Sequence, residues 1–118
     1  MSLLYCSTPY SKYPFGIETA YRMACQQVAV LIRAGVPCIS PIAATHGVAI
    51  HGGIDPLDHS LWMAADAPLM EACDGLIVVR AEGWRESVGM ALEIEAFAAA
   101  GKPIFYMDPG VVPAELLP

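Results

Sequence analysis

The chain has 118 residues, 56% of them hydrophobic and 15% charged, which suits a single buried core and excludes a disordered tail. A net charge of −6, with six Lys and Arg and no basic run, argues against a cationic face for polymeric nucleic acid. A small anion held by backbone N–H groups is not excluded, because that needs no net positive charge.

Leu3 to Ser7 reads as a short buried strand that delivers Tyr5, Cys6 and Ser7 to its end. TPYSKYPFG, residues 8–16, is a turn-rich loop. Ile17, Tyr21, Ala24, Val28, Leu31 and Ile32 fall at helical spacing, and Gly35 supplies the C-terminal cap. Val36 to Ser40 is a second strand. Residues 41–57, PIAATHGVAIHGGIDPL, read as a Gly-rich loop longer than ordinary connections, and so as a functional segment carrying His46 and His51.

Residues 58–73 predict a helix that Pro68 either breaks or restarts after Asp66. Gly75 to Arg80 is the clearest buried strand. Ser87 to Ala100 is a helix closed by Gly101, Pro103 to Met107 is a fourth strand, and a Pro-rich tail follows. Regular alternation of strand and helix implies a parallel sheet with right-handed crossovers and helices on both faces. The expectation is one α/β domain over residues 1–118. It would be a three-layer, Rossmann-like or flavodoxin-like fold with strand order 2-1-3-4. Ligands of such sheets bind outside the carboxyl ends of the strands.

Cys6, Cys25, Cys38 and Cys73 show no CxxC spacing and read as reduced core cysteines. The N-terminus lacks the charged and apolar regions of a signal peptide. The charge-free interval 34–54 is interrupted by Pro37, Pro41, two histidines and several glycines, so it does not read as a membrane span. A cytoplasmic protein is expected. The high apolar fraction with few charges points to a homo-oligomer, because a chain this short has difficulty hiding it alone.

The carboxyl-edge rule selects Tyr5 and Ser7 from the first strand, and Gly83 and Trp84 after the third. From the last helix it selects the N-terminus with Ser87 and Gly89, and His46 and His51 come from the long segment. Gly89 permits close ligand approach to an electropositive helix start. Met90, Ile94 and Phe97 form one apolar stripe, while Glu93 lies on an adjacent face between the small residues Gly89 and Ala96. Spacing leaves Glu93 two readings: a solvated glutamate, as most charged residues are, or a nucleophile or base on a pocket floor. Asp66 either caps a restarted helix or supplies a second carboxylate. Asp74 is a turn residue. Tyr5 fits the core with its hydroxyl at the sheet edge, and Trp84 fits surface packing or a stacking wall for a base. The two histidines lack a third partner, so no metal site is expected, nor any cofactor.

Several of these residues form a recognisable set. Tyr5 lies in the first strand, Asp66 stands eight residues before Asp74, and Ser87-x-Gly89-x-x-x-Glu93 runs into Gly101-Lys102-Pro103. This pattern resembles the nucleoside 2-deoxyribosyltransferase superfamily. More closely, it is similar to a small uncharacterised branch with D-x-P-L-M-x-x-C-D-G-L-I-V-V followed by G-W-x-x-S-x-G-x-x-x-E. The resemblance implies Glu93 as nucleophile, Asp66 as the second active-site carboxylate and Tyr5 as the group orienting the nucleophile. Ser87 stands where that superfamily has Asp in the transferases and Ser in the nucleotide N-hydrolases. Implied ligands are a deoxynucleoside or its 5′-monophosphate. Implied activity is N-glycosidic cleavage or deoxyribosyl transfer, with a non-catalytic nucleotide-binding module as the alternative. A phosphoribohydrolase fits less well, since no P-G-G-x-G-T turn is present.

Overall fold

The computed structural model describes residues 2–118. Its two central strands, β1 (Leu4–Ser7) and β3 (Gly75–Val79), are buried along their whole length. Strands covered on both faces read as continuous apolar runs, and LYCS and GLIVV do so. The period of two then divides the core. Leu4, Cys6, Ile77 and Val79 join one apolar cluster with Met23 and Leu31 of helix α1 (Ile17–Arg33). Tyr5, Leu76 and Val78 join another with Met90 and Phe97 of helix α4 (Val88–Ala99).

β2 (Cys38–Ile39) and β4 (Ile104–Met107) flank this pair, giving a four-stranded sheet in the order β2-β1-β3-β4. Every pairing is parallel, with Ser7 opposite Val78 and Val79 opposite Met107. The fold is therefore the expected three-layer, flavodoxin-like arrangement with order 2-1-3-4. The C-terminal residues Val112 and Leu116 add to the cluster on the α1 side. No helix among the described residues is long and apolar enough to cross a membrane.

Two segments differ from the sequence expectation. Residues 41–52 are not loop but helix α2 (Pro41–Gly52). Ser40 caps it by accepting from the Ala43 N–H at 3.1 Å, Pro41 sits in its first turn, and Gly53 ends it at φ 71°. Ser-Pro at a helix start and glycine after its end are the usual start and stop signals. His46 and His51 thus stand on a helix, where His46 is buried and His51 exposed. The second segment is helix α3 (His59–Ala72), which runs through Pro68 without a break. Proline there forfeits the bond to the Ala64 carbonyl, and Ala64 is exposed, so water can satisfy it. Asp58 caps α3, accepting from the Leu61 N–H at 3.3 Å, and Asp66 lies mid-helix with no capping role.

After β3 the chain turns at Gly83, whose φ of 81° suits glycine. A side chain there would meet the Lys12 carbonyl at 3.0 Å, so Gly83 lets this turn pack against the loop following β1. Both loops are thereby held at the same edge of the sheet.

Candidate active site

Helix α4 begins at Ser87, which accepts from the Met90 N–H at 3.2 Å and is itself buried. Its buried side chains are Met90, Glu93 and Phe97, so a glutamate occupies the face turned to the sheet. Glu93 is only 8% exposed. Its partner comes from the end of β1: the Ser7 hydroxyl donates to Glu93 Oε1 at 2.6 Å. One carboxyl oxygen is thereby fixed.

Desolvation raises the Glu93 pKa to about 7, against the pull of the Ser7 hydroxyl and the Tyr5 phenol; the Asp66 charge pushes it up further. Tyr5 is fully buried, packs against Phe97 at 5.7 Å between ring centroids, and shares the Glu93 face of β1. Its hydroxyl has no partner that meets hydrogen-bond geometry. Burial and then the Glu93 charge raise the Tyr5 pKa well beyond the ordinary phenol range. Tyr5 is a neutral dipole beside the carboxyl.

Glu93 lines a cavity enclosing about 670 Å³ of space, including its open mouth, at the carboxyl edge of the sheet. Asp66 reaches it from α3, His46 from α2, Ser87 and Gly89 from α4, and Thr8 and Tyr10 from the loop after β1. Asp66 is half-buried, and desolvation raises its pKa as well. Trp62 and Met63 of α3 contribute apolar wall. Among the described residues, the wall contains no lysine or arginine, and no three His, Cys, Asp or Glu groups are placed to hold a metal.

The structure thus brings Glu93, Asp66, Ser87, Gly89 and His46 to one cavity, with Ser7 and Tyr5 supporting Glu93 from β1. Trp84 stands apart from this wall. It packs edge-on against Tyr106 at 6.1 Å between centroids and carries the Arg85 guanidinium 5.2 Å from its ring centre. Asp74 ties the start of β1, its Oδ2 accepting from the Leu3 N–H at 2.9 Å. The four cysteines are free, two of them buried.

Tyr10, Glu18 and Thr8 escaped the sequence reading. Tyr10 Oη lies 2.6 Å from His46 Nδ1, and His46 Nε2 lies 3.0 Å from Glu18 Oε2. Tyr21 stacks on the same imidazole at 4.4 Å between centroids. Tyr10 follows β1 directly on the carboxyl edge, which was a usable signal. Glu18 looked like an ordinary first-turn acid of α1.

A buried carboxyl and a second, half-buried one on a cavity at the edge of a parallel sheet define a small α/β protein with a carboxylate-centred site. The family model described as domain of unknown function (DUF1937) matches residues 2–109, and the chain belongs to that family. No curated protein matches the chain.

The raised pKa of Glu93 has a consequence for stability. Unfolded, this carboxyl titrates near 4.5; folded, near 7, so the native state holds its proton more tightly between those values. Stability from this group is full below pH 4.5 and falls as pH rises to about 7, by on the order of 3 kcal/mol. Glu93→Gln should therefore match wild type near pH 5 and exceed its stability at pH 8 by roughly 1–3 kcal/mol. Urea unfolding at the two pH values checks this; stability curves that stay parallel would contradict it.

Proposed function

We propose that the protein cleaves the N-glycosidic bond of a deoxynucleoside or its 5′-monophosphate through a glycosyl-enzyme on Glu93. The observation that carries this reading is the buried Glu93 carboxyl, held through Oε1 by Ser7 on a cavity that Asp66 also lines. With Oε1 engaged, Oε2 is the free oxygen for attack on C1′. A carboxylate whose conjugate acid titrates near 7 is a better nucleophile than an ordinary one, yet remains half ionised at neutral pH.

Cleavage passes through an oxocarbenium-like state with positive charge at C1′, which the developing Glu93 carboxylate bond neutralises. Asp66, its pKa raised by burial, supplies the acid that assists departure of the base. Water or a second base then attacks C1′ from the vacated side, so configuration is retained over two displacements. Tyr5 limits the carboxyl's freedom beside Ser7.

Ser87 and the start of α4 suit a 5′-phosphate. Ser87 Oγ accepts from Met90 N–H, which leaves its own hydrogen free to donate. The Val88 and Gly89 N–H groups, which have no intrahelical partner, and the positive end of the helix add to this. With no lysine or arginine among the described residues of the wall, these groups would carry the phosphate. Oligomerisation is supported by α3, which has no buried residue, and by the exposed Leu61, Val88 and Leu92 on α3 and α4. Light scattering at micromolar concentration should give a multiple of the chain mass; a monomer mass throughout would refute it.

The test is a panel of deoxynucleosides and their 5′-monophosphates, with free base followed by chromatography. Release by wild type and a loss of at least about 10³-fold in Glu93→Gln are expected. The monophosphate should bind more tightly than its nucleoside by about 1–3 kcal/mol, and Ser87→Asp should abolish that difference. Equal affinities in wild type would leave Ser87 a helix cap only. Tight binding with no release, surviving Glu93→Ala, would make the protein a nucleotide-binding module instead.

A further inference from the structure

His46 is buried at 5% exposure in a position that a hydrophobic residue could fill, yet both of its ring nitrogens are engaged. The two partners differ in kind. Glu18 is an exposed carboxylate whose pKa is lowered, first by its bond to His46, so it accepts only and Nε2 must carry the proton. In the neutral ring Nδ1 is then the lone pair, which accepts from the Tyr10 hydroxyl across 2.6 Å. With its hydrogen committed to His46, Tyr10 Oη presents lone pairs to the cavity it lines.

A second observation marks the same stretch of wall. Thr8 Oγ1 is buried with no hydrogen-bond partner, and Thr8 also lines the cavity. A buried hydroxyl left unpaired costs roughly 1–3 kcal/mol. Tyr10 Oη therefore offers an acceptor to a molecule such as water, and the Thr8 hydroxyl is a donor that nothing in the fold uses.

We propose that Tyr10, His46 and Glu18 form a proton relay that activates the acceptor, water or the N–H of a second base, in the step that resolves the glycosyl-enzyme. The inference rests on the glycosidase reading of the site. The acceptor's oxygen or nitrogen bonds to C1′ as the bond from C1′ to Glu93 breaks, and that electron pair returns to the carboxylate. The acceptor's proton passes to Tyr10 Oη, whose own proton passes to His46 Nδ1. The imidazolium so formed is paired with Glu18. Glu18 is exposed, so the extra proton then leaves to solvent.

Tyr10, which touches the acceptor, is the catalytic residue; His46 and Glu18 are positioning residues that act through it. Burial and the Glu18 charge raise the Tyr10 pKa, so the phenol stays protonated at neutral pH and can work as a relay. The stack with Tyr21 keeps the imidazole plane fixed.

The relay serves only the second step, and this separates it from a structural role. The experiment measures first-turnover base release and steady-state turnover for the fastest-cleaved member of the deoxynucleoside panel. It compares wild type, Tyr10→Phe and Glu18→Gln. Tyr10→Phe keeps the ring that meets His46 edge-on, and Glu18 is exposed, so at least one variant retains the fold. First-turnover release should stay within about twofold of wild type in both variants, while steady-state turnover falls roughly 10²-fold or more in Tyr10→Phe and less in Glu18→Gln. Equal losses in both phases, or no loss in either, would overturn the relay while leaving the glycosidase reading intact. No base release by wild type would overturn that reading and the relay with it.

Discussion

The hydrogen bond between Ser7 and Glu93 is the contact on which the rest of the site depends. It joins the last residue of β1 to the second turn of α4 across a largely apolar layer. A carboxyl in such a layer has lost much of its hydration, and a single hydroxyl donor does not restore it. The sheet and the helix place it there regardless, because Met90 and Phe97 on either side of it are buried against Tyr5, Leu76 and Val78. Apolar packing holds a carboxyl where its charge is disfavoured. A reactive group maintained at the expense of stability is a common trade in active sites.

The remaining groups extend outward from this point according to their need for water. Asp66, half-buried on α3, retains partial access to solvent. Tyr10 and His46 lie on the wall contributed by the β1 loop and α2, and Glu18 opens to the exterior. β1 and the loop after it, α1, α2, α3 and α4 all contribute groups, so no short stretch of chain contains the site. Gly83 and the Lys12 carbonyl bring the two edge loops together.

Much of the fold was legible because its signals are local. GLIVV and LYCS announce doubly covered strands, and alternation with helical segments implies the parallel sheet. The α2 error arose from weighting Gly47, Gly52 and Gly53 over the Ser40-Pro41 start, although two of those glycines only close the helix. Pro68 misled because a helix interior can lose one bond where the freed carbonyl is on an exposed residue. Within the site, Glu93 was ambiguous by spacing: its hydrogen-bond partner is a Ser7 hydroxyl 86 residues away, and no periodicity encodes that. Tyr10–His46–Glu18 was hidden for the same reason, since it assembles across a loop and two helices. Trp84 was selected for its position after β3, but its ring finds Tyr106 on β4 instead.

The central claim is that Glu93 forms a bond to the sugar. Mass spectrometry of protein quenched during turnover of a cleaved deoxynucleoside, followed by peptide mapping, tests it most directly. The account predicts a deoxyribosyl mass increment on the peptide containing Glu93, and its absence from Glu93→Gln. An adduct on any other residue, or base release that persists undiminished in Glu93→Gln, would contradict it.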